Sequence, residues 1–317
     1  MGKLTSVAVL GAGLSGAVAA RRLAEAGLAV TVLDKGRGVG GRLATRRSSD
    51  PALAFDHGAQ FMRARGPAFA ACLADWEARG IVAPWSESGR FVGTPGMTAP
   101  VRDLLAGLTV RSGLTVTGLT RDADGWSLAT TEAPLPGRFD ALVVSFPAPQ
   151  IRRLLESSGR SLPGLGIPVY APCWSLMLAL QGPAPFEGPD LAFEAEPIAY
   201  VARDDSKPGR LPGPVRLVVH AAPDWSRTHL EDDRDSVATA LVHELGRLLG
   251  APVTPIHASV HRWRYAMVET PLGQDCLYDP GQRLGACGDW CLGGRVEAAF
   301  DSGAAVAARL LAGHEAG

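Results

Sequence analysis

An α/β chain in two parts is what the sequence predicts: a dinucleotide-binding unit on a parallel sheet, and a second unit of mixed β-sheet plus helices. Three observations carry this expectation. Glycines stand at fixed offsets between an apolar run and a helical run near the start of the chain. From Ile151 onward, proline and glycine punctuate short alternating runs. The 317 residues suffice for one large unit or two closely packed domains, and not for a multi-domain array.

The elements follow in order. Residues 6–10 form a short apolar run, residues 15–26 repeat apolar side chains at helical spacing and stop at Gly27, and residues 28–33 are a second apolar run. Residues 108–131 read as two strands turning at Asp124-Gly125, and residues 141–146 as a buried strand that ends at Pro147. Past Ile151, breaks at 163–172, 182–189 and 207–214 leave room for a mixed or antiparallel sheet. Val237, Leu241, Leu245, Leu248 and Leu249 share one face of a helix over residues 234–250, which should pack on that sheet. A helix of small residues is expected from Val296 to Leu311. The dinucleotide unit is thus assigned residues 1–60, 92–150 and 276–317, and the second unit residues 61–91 and 151–275.

Composition excludes several classes. A formal net charge of -1 offers no field for nucleic acid or an anionic membrane surface, so small molecules are the expected partners. No apolar segment reaches the roughly 18 uncharged residues of a membrane helix. Lys3 followed by the apolar run 7–20 imitates a secretion signal, but glycines at fixed offsets and an arginine-bearing helix explain it better. Five cysteines, an odd number, show no CxxC and no zinc-finger spacing. They read as reduced thiols of a cytoplasmic protein with no metal, either monomer or homodimer.

Gly11, Gly13 and Gly16 make GxGxxG between a strand and a helix, the context that lifts this motif above chance. Gly11 permits the tight turn, Gly13 lets backbone approach a pyrophosphate, and Gly16 lets the helix lie on the sheet. The helix N-terminus, with Ala12 and Ser15 flanking the turn, offers free N–H groups to phosphate. Asp34 closes the second strand where a carboxylate can accept the adenosine ribose hydroxyls, with Lys35 beside it. To this point NAD and FAD are equally served.

The residues after Asp34 separate them. Gly36, Gly38, Gly40, Gly41 and Arg42 complete DKGRGVGGR, which resembles the GGR segment of amine-oxidase-like FAD proteins. The resemblance implies that Arg42 and the Gly41 backbone hold the pyrophosphate from the side opposite the first helix, a task suited to a guanidinium fork. FDHGAQFM at Phe55 to Met62 is similar to the segment that runs along the isoalloxazine in these proteins, with His57, Gly58, Ala59 and Gln60 at the ring. There Gly58 would allow close approach and Gln60 would face the substrate. GDWCLGGRVEAAFDSG, from Gly288, is similar to their C-terminal flavin motif. It implies Asp289 at the ribityl or pyrophosphate, and Val296 and Glu297 at a helix end aimed at the flavin N1/O2 edge. Val116 would touch the adenine through its backbone.

With HRWRYA at His261 to Ala266, these motifs resemble the renalase family and its bacterial members over most of the chain. The resemblance implies a p-hydroxybenzoate hydroxylase-type arrangement and non-covalent FAD. It further implies an oxidase that converts 2- and 6-dihydro isomers of NAD(P)H to NAD(P)+ and passes the electrons to O2, giving hydrogen peroxide. Trp263, Tyr265, His57 and Gln60 are the candidates for the catalytic pocket, and Arg63, Arg65, Arg262 or Arg264 for a substrate phosphate. An amine oxidase or desaturase is the first alternative, and a non-catalytic flavin-binding redox sensor the second. Against amine oxidation stands a lysine argument. Polyamine and monoamine oxidases hold a water near the flavin with a lysine of the substrate domain, whereas here only Lys3, Lys35 and Lys207 exist, and Lys207 in DDSKPGRLPGP reads as a solvated loop.

Overall fold

The computed structural model describes residues 3–48, 53–86, 89–132 and 135–315. It begins as the glycine pattern requires, with β1 (Ser6–Leu10), α1 (Leu14–Glu25) and β2 (Ala29–Asp34). The linking segment carries the short strands β3 (Thr45–Arg47) and β4 (Ala54–Asp56), then α2 (Pro67–Ala78), β5 (Val82–Pro84), β6 (Phe91–Gly93) and α3 (Ala99–Leu104). The expected strand pair is three strands: β7 (Thr109–Ser112), then a hairpin of β8 (Val116–Asp122) and β9 (Gly125–Thr130). Gly125 turns that hairpin at φ +123°, which a side chain would resist. β10 (Ala141–Val144), buried throughout, precedes α4 (Ala148–Ser157).

The second half holds β11 (Val169–Leu180), β12 (Asp190–Ala192), β13 (Ile198–Arg203), β14 (Val215–Ala221), α5 (Pro223–Thr228), α6 (Arg234–Leu249) and β15 (Pro255–Thr270). The chain then returns through β16 (Leu277–Asp279) and β17 (Leu284–Ala286) to α7 (Val296–Glu315). Expected as short strands, β11 and β15 instead run 12 and 16 residues and pair antiparallel along their length. A run broken by Pro172, Gln181-Gly182 or Pro255 at its ends looks short in sequence, while bulges carry the ladder past the irregularities.

Two sheets organise the molecule. The first, in the order β16-β17-β10-β1-β2-β7, is parallel except at its β16 edge. The second, β12-β13-β14-β11-β15, is antiparallel. One of its faces buries Leu176, Leu178, Leu217 and Val219 against Val237, Leu241 and Leu245 of α6, as the helical stripe predicts. Its other face meets Leu53 and Phe55 through Met177, Ala179 and Val218. Residues 61–91, assigned by sequence to the second unit, instead put Phe69, Leu73, Trp76 and Val82 into the core that α1 and α7 share. Helix–helix burial beside the parallel sheet decides their place, and no local pattern announces it. Among the described residues no helix is long and apolar enough to cross a membrane.

Candidate active site

The dinucleotide end is built by three close approaches. Gly11 leaves β1 at φ +107°, and its N–H donates to Leu33 O (2.7 Å). A Cβ on Gly16 would lie 2.1 Å from Gly11 O and 2.3 Å from Ser145 Oγ, so only glycine lets α1 sit this close to the strand ends. Gly13 caps α1 with no side-chain cap, which leaves the first-turn N–H groups facing outward for an anion. Ala12 N and Gly36 N each donate to the Asp34 carboxylate at 2.6 Å. Each carboxylate oxygen keeps a further lone pair, so Asp34 is fixed in place with acceptor capacity for ribose hydroxyls. Leu114 N donates to Asp34 O (2.9 Å), which brings the lead into Val116 to the same edge. Lys35 is exposed, with Gln150 Oε1 at 3.5 Å.

The second glycine segment lies along the first. Gly40 N donates to Ala12 O (2.8 Å), and a Cβ on Gly41, at φ +54°, would press Gly13 Cα at 3.3 Å. A single 3-10 turn, Gly41–Leu43, then projects Arg42. Its fork closes on Asp289, 247 residues away, with Nη1 to Oδ2 at 2.8 Å and Nη2 to Oδ1 at 2.6 Å, and Nη1 also reaches Ala266 O (3.1 Å). Burial works against the Arg42 charge, yet Asp289 outweighs it and holds the pKa above its ordinary value. Arg42 and Asp289 were read separately from two motifs, and the fold brings them into one pair. Free N–H groups at α1, an anchored Asp34, a glycine cradle and this pair are a donor set that fits a dinucleotide with a flavin beyond it.

At the C-terminal motif, Asp289 opens a 3-10 turn and Val296 starts α7. A Cβ on Gly303 would sit 2.2 Å from Ser15 O, so α7 crosses α1 at the phosphate turn itself. Glu297 Oε1 accepts from Arg65 N (2.9 Å) and Gly66 N (2.6 Å), which ties α7 to the start of α2. A negative charge in the first turn of a helix is favourable in its own right, and that explains its presence.

The segment from Phe55 to Gln60 departs from expectation. Gly58 is glycine because a Cβ would lie 2.0 Å from Arg42 O, and Ala59 N donates to that same carbonyl (2.9 Å). Its close approach is therefore to the Arg42 turn. Gln60, expected to face substrate, is buried, donating to Asp56 O (2.5 Å) and Gly58 O (2.9 Å) and accepting from Lys207 Nζ (2.9 Å). Lys207 is no solvated lysine: 2% of its surface is exposed, and Nζ also donates to Asp204 Oδ1 (2.7 Å) and Asp56 Oδ2 (3.2 Å). Arg210 donates to Asp56 as well. Burial opposes the Asp56 charge, but Lys207 and Arg210 overcome it and hold the carboxyl well below its usual range. Lys207 and Arg210 thus keep Asp56 ionised under the segment, while burial, helped by the neighbouring Asp56, pushes the Asp204 carboxyl above its ordinary value. A polar loop composition, DDSKPGR, misled because its partner Asp56 lies 151 residues away. Asp56 between Phe55 and His57 in a buried strand end was the available signal.

His57 is buried, and its Nδ1 donates to Ala44 O (2.9 Å), leaving Nε2 as the acceptor. Burial pushes its pKa down to about 4. Trp263 Nε1 donates to His57 O (2.8 Å), and the rings of His57, His261 and Trp263 lie 4.2–5.0 Å apart between centroids. Tyr265 stands edge-on to Tyr170 at 5.4 Å. The structure therefore brings His57, Trp263 and Tyr265 to one strip of β15 that passes Arg42 at Ala266. Arg262 and Arg264 lie on the other side of the strand, both paired with Glu231, which removes them from that strip. Arg63 lies over the Phe61 ring (5.9 Å). No cluster able to hold a metal occurs among the described residues.

Comparison with known proteins places this geometry. A family profile described as NAD(P)-binding Rossmann-like domain matches residues 9–76, and one described as flavin containing amine oxidoreductase matches residues 66–311. A candidate protoporphyrinogen oxidase from Exiguobacterium sp. 255-15 superposes at TM-score 0.75 with 14% identity, over 97% of this chain and 99% of that one. Putrescine oxidase, solved with putrescine, superposes at 0.70 with 13% identity over 98% and 99%. Cyclohexylamine oxidase from Brevibacterium oxydans IH-35A does so at 0.67 with 12% identity over 98% and 99%. At such identities the likeness is one of fold.

Proposed function

Since the chain belongs to the flavin containing amine oxidoreductase family, with FAD as its cofactor, we propose that it is an oxidase of the renalase type acting on 2- and 6-dihydro isomers of NAD(P)H. FAD, when bound, supplies the two-electron oxidation and passes the electrons to O2. The chain's residues then have modest tasks. Asp34, the α1 N-terminus, Arg42 and Asp289 hold the cofactor. Val296, at the positive end of α7, favours negative charge on the flavin edge. Trp263 and Tyr265 flank the substrate ring, and His57 supplies a neutral acceptor. Loss of hydride from a dihydronicotinamide yields an aromatic ring directly, so no proton need leave carbon and positioning carries most of the rate. We take the arrangement to be of the p-hydroxybenzoate hydroxylase type, with the second sheet roofing the flavin.

The observation that carries this reading is the hydrogen bond from Trp263 Nε1 to His57 O, which locks the HRWRYA strip to the FDHGAQ segment. Amine oxidation is the rival, and the burial of Lys207 removes the argument that this lysine is merely solvated. Yet its three N–H groups are all spent on Asp204, Asp56 and Gln60, which leaves none to hold a water. Anaerobic stopped-flow mixing separates the two. Bleaching of the flavin by 2-dihydro- or 6-dihydro-NAD, with amines inert, is the expected result, and rapid bleaching by amines alone overturns the reading.

A further inference from the structure

Arg46 stands opposite Phe55 across β3 and β4, and cross-strand partners share a face. Phe55 packs on Met177 and Ala179 of the second sheet and stacks on His257 of β15, the rings 5.7 Å apart and 17° from parallel. His257 and His261 stand opposite Ala179 and Ser175, and Ser175 opposite His220, so these histidines belong to the face that Phe55 meets. Trp263, two residues past His261, continues that face toward Arg42. Arg46 is thus directed to the edge strand β15, on the side that carries His57, His261 and Trp263. Alternation turns Thr45 and Arg47 the other way: Thr45 Oγ1 donates to Asp56 Oδ1 (2.7 Å), and Arg47 lines a separate cavity with Thr98 and Arg102.

Charge singles out the same side chain. Arg46 is exposed, and among the described residues no carboxylate pairs with it. Burial is the largest cause that lowers His57, His257 and His261, the first and last to about 4, and the Arg46 charge lowers all three further. One cation therefore acts on three rings from two segments, and those rings, being neutral, do not offset it. Arg234, at the start of α6, adds a second positive charge within reach of His261. The arginines weighed from the sequence lie elsewhere: Arg262 and Arg264 close on Glu231, Arg63 lies over Phe61, and Arg65 leads into α2. An exposed guanidinium with no carboxylate suits an anion, and its planar fork matches two oxygens of a phosphate. From Trp263 to His261 the strand advances about 7 Å, a reach comparable to the ribose that separates a nicotinamide ring from its phosphates.

We propose that Arg46 is a specificity residue that holds the pyrophosphate of a dinucleotide substrate whose ring lies beside Trp263 and His57. The proposal rests on the dihydronicotinamide reading and names the residue that separates a dinucleotide from a phosphate-free substrate. The test uses holoenzyme with 2-dihydro-NAD and with 2-dihydronicotinamide riboside, which lacks the pyrophosphate. In anaerobic stopped-flow reduction, Arg46→Ala should raise the half-saturating concentration of dihydro-NAD about tenfold, keep the limiting rate of flavin reduction, and leave the riboside unaffected. Arg46→Lys, a point charge without the fork, should fall between. Arg47→Ala removes the same charge from the opposite face and should alter neither substrate. Calorimetric titration with ADP-ribose reads the contact without turnover, and its affinity should fall about tenfold in Arg46→Ala alone. The proposal is overturned if Arg46→Ala binds ADP-ribose as the wild type does, if the riboside suffers an equal loss, or if Arg47→Ala weakens binding as much. Failure of both dihydro substrates to reduce the wild-type flavin is a different result and counts against the function proposed above.

Discussion

Lys207 spends each of its three N–H groups on a buried acceptor, and Arg210 joins it on Asp56. Removing one member of such a cluster strands the rest, so Lys207→Met should destabilise the protein by about 3–5 kcal/mol, while the double change with Asp204→Leu should recover part of the loss. Urea denaturation reads both, and a loss below about 1 kcal/mol for the single variant contradicts the account. Arg42 presents a different case. Arg42→Ala leaves Asp289 buried opposite nothing, and on the proposed cofactor site FAD should then be lost on gel filtration. Full flavin occupancy in that variant takes Arg42 out of the site. Of these residues the glycines around Arg42 were legible as a turn, and its pairing with Asp289 was not. Lys207 and Gln60 were misread, because each is buried by a partner more than a hundred residues away.

At the level of elements, the crossing of α1 and α7 sets the site. The two helices meet where Gly303 faces Ser15 O, and a methyl there would lie 2.2 Å from the carbonyl. Gly303→Ala must therefore displace α7, which should cost roughly 1–3 kcal/mol and lower flavin occupancy through the shifted Val296 end. Gly80→Ala is the contrasting variant, with nothing within 4 Å and only a φ of +71° to strain. Equal flavin occupancy in the two variants counts against the crossing as the organising contact. Helical spacing foretold α1 and α6, a run of small residues foretold α7, and short apolar runs foretold β1 and β2. It could not foretell that α2 joins α1 and α7 in one core, since an apolar stripe states that a face is buried and not against what.

Across the whole molecule the buried histidines set an acid limit. His57, His220 and His261 titrate near 6.5 when unfolded, whereas burial pushes each down to about 4 in the fold. Between those values the unfolded chain binds more protons, so stability rises with pH in that window and is level above it. The melting temperature of the holoenzyme should therefore hold steady from about pH 8 to pH 6.5 and fall steadily toward pH 4. A melting temperature that is unchanged between pH 7 and pH 5 would show that these rings are not kept neutral.

By itself the sequence determined the parts whose physics is local: the glycine turn before α1, Asp34 at the end of β2, the Arg42 segment, the amphipathic α6, and thereby the cofactor. Each depends on backbone sterics or on a period of two or 3.6 residues, which neighbours in the chain suffice to express. Only the tertiary structure decided that Arg42 faces Asp289, that Lys207 lies in the interior, and that Ser175, His220 and His261 share one face. Strand register and the burial of charge are settled by what packs from elsewhere, and a carboxylate 151 residues away leaves no mark on the residues around a lysine.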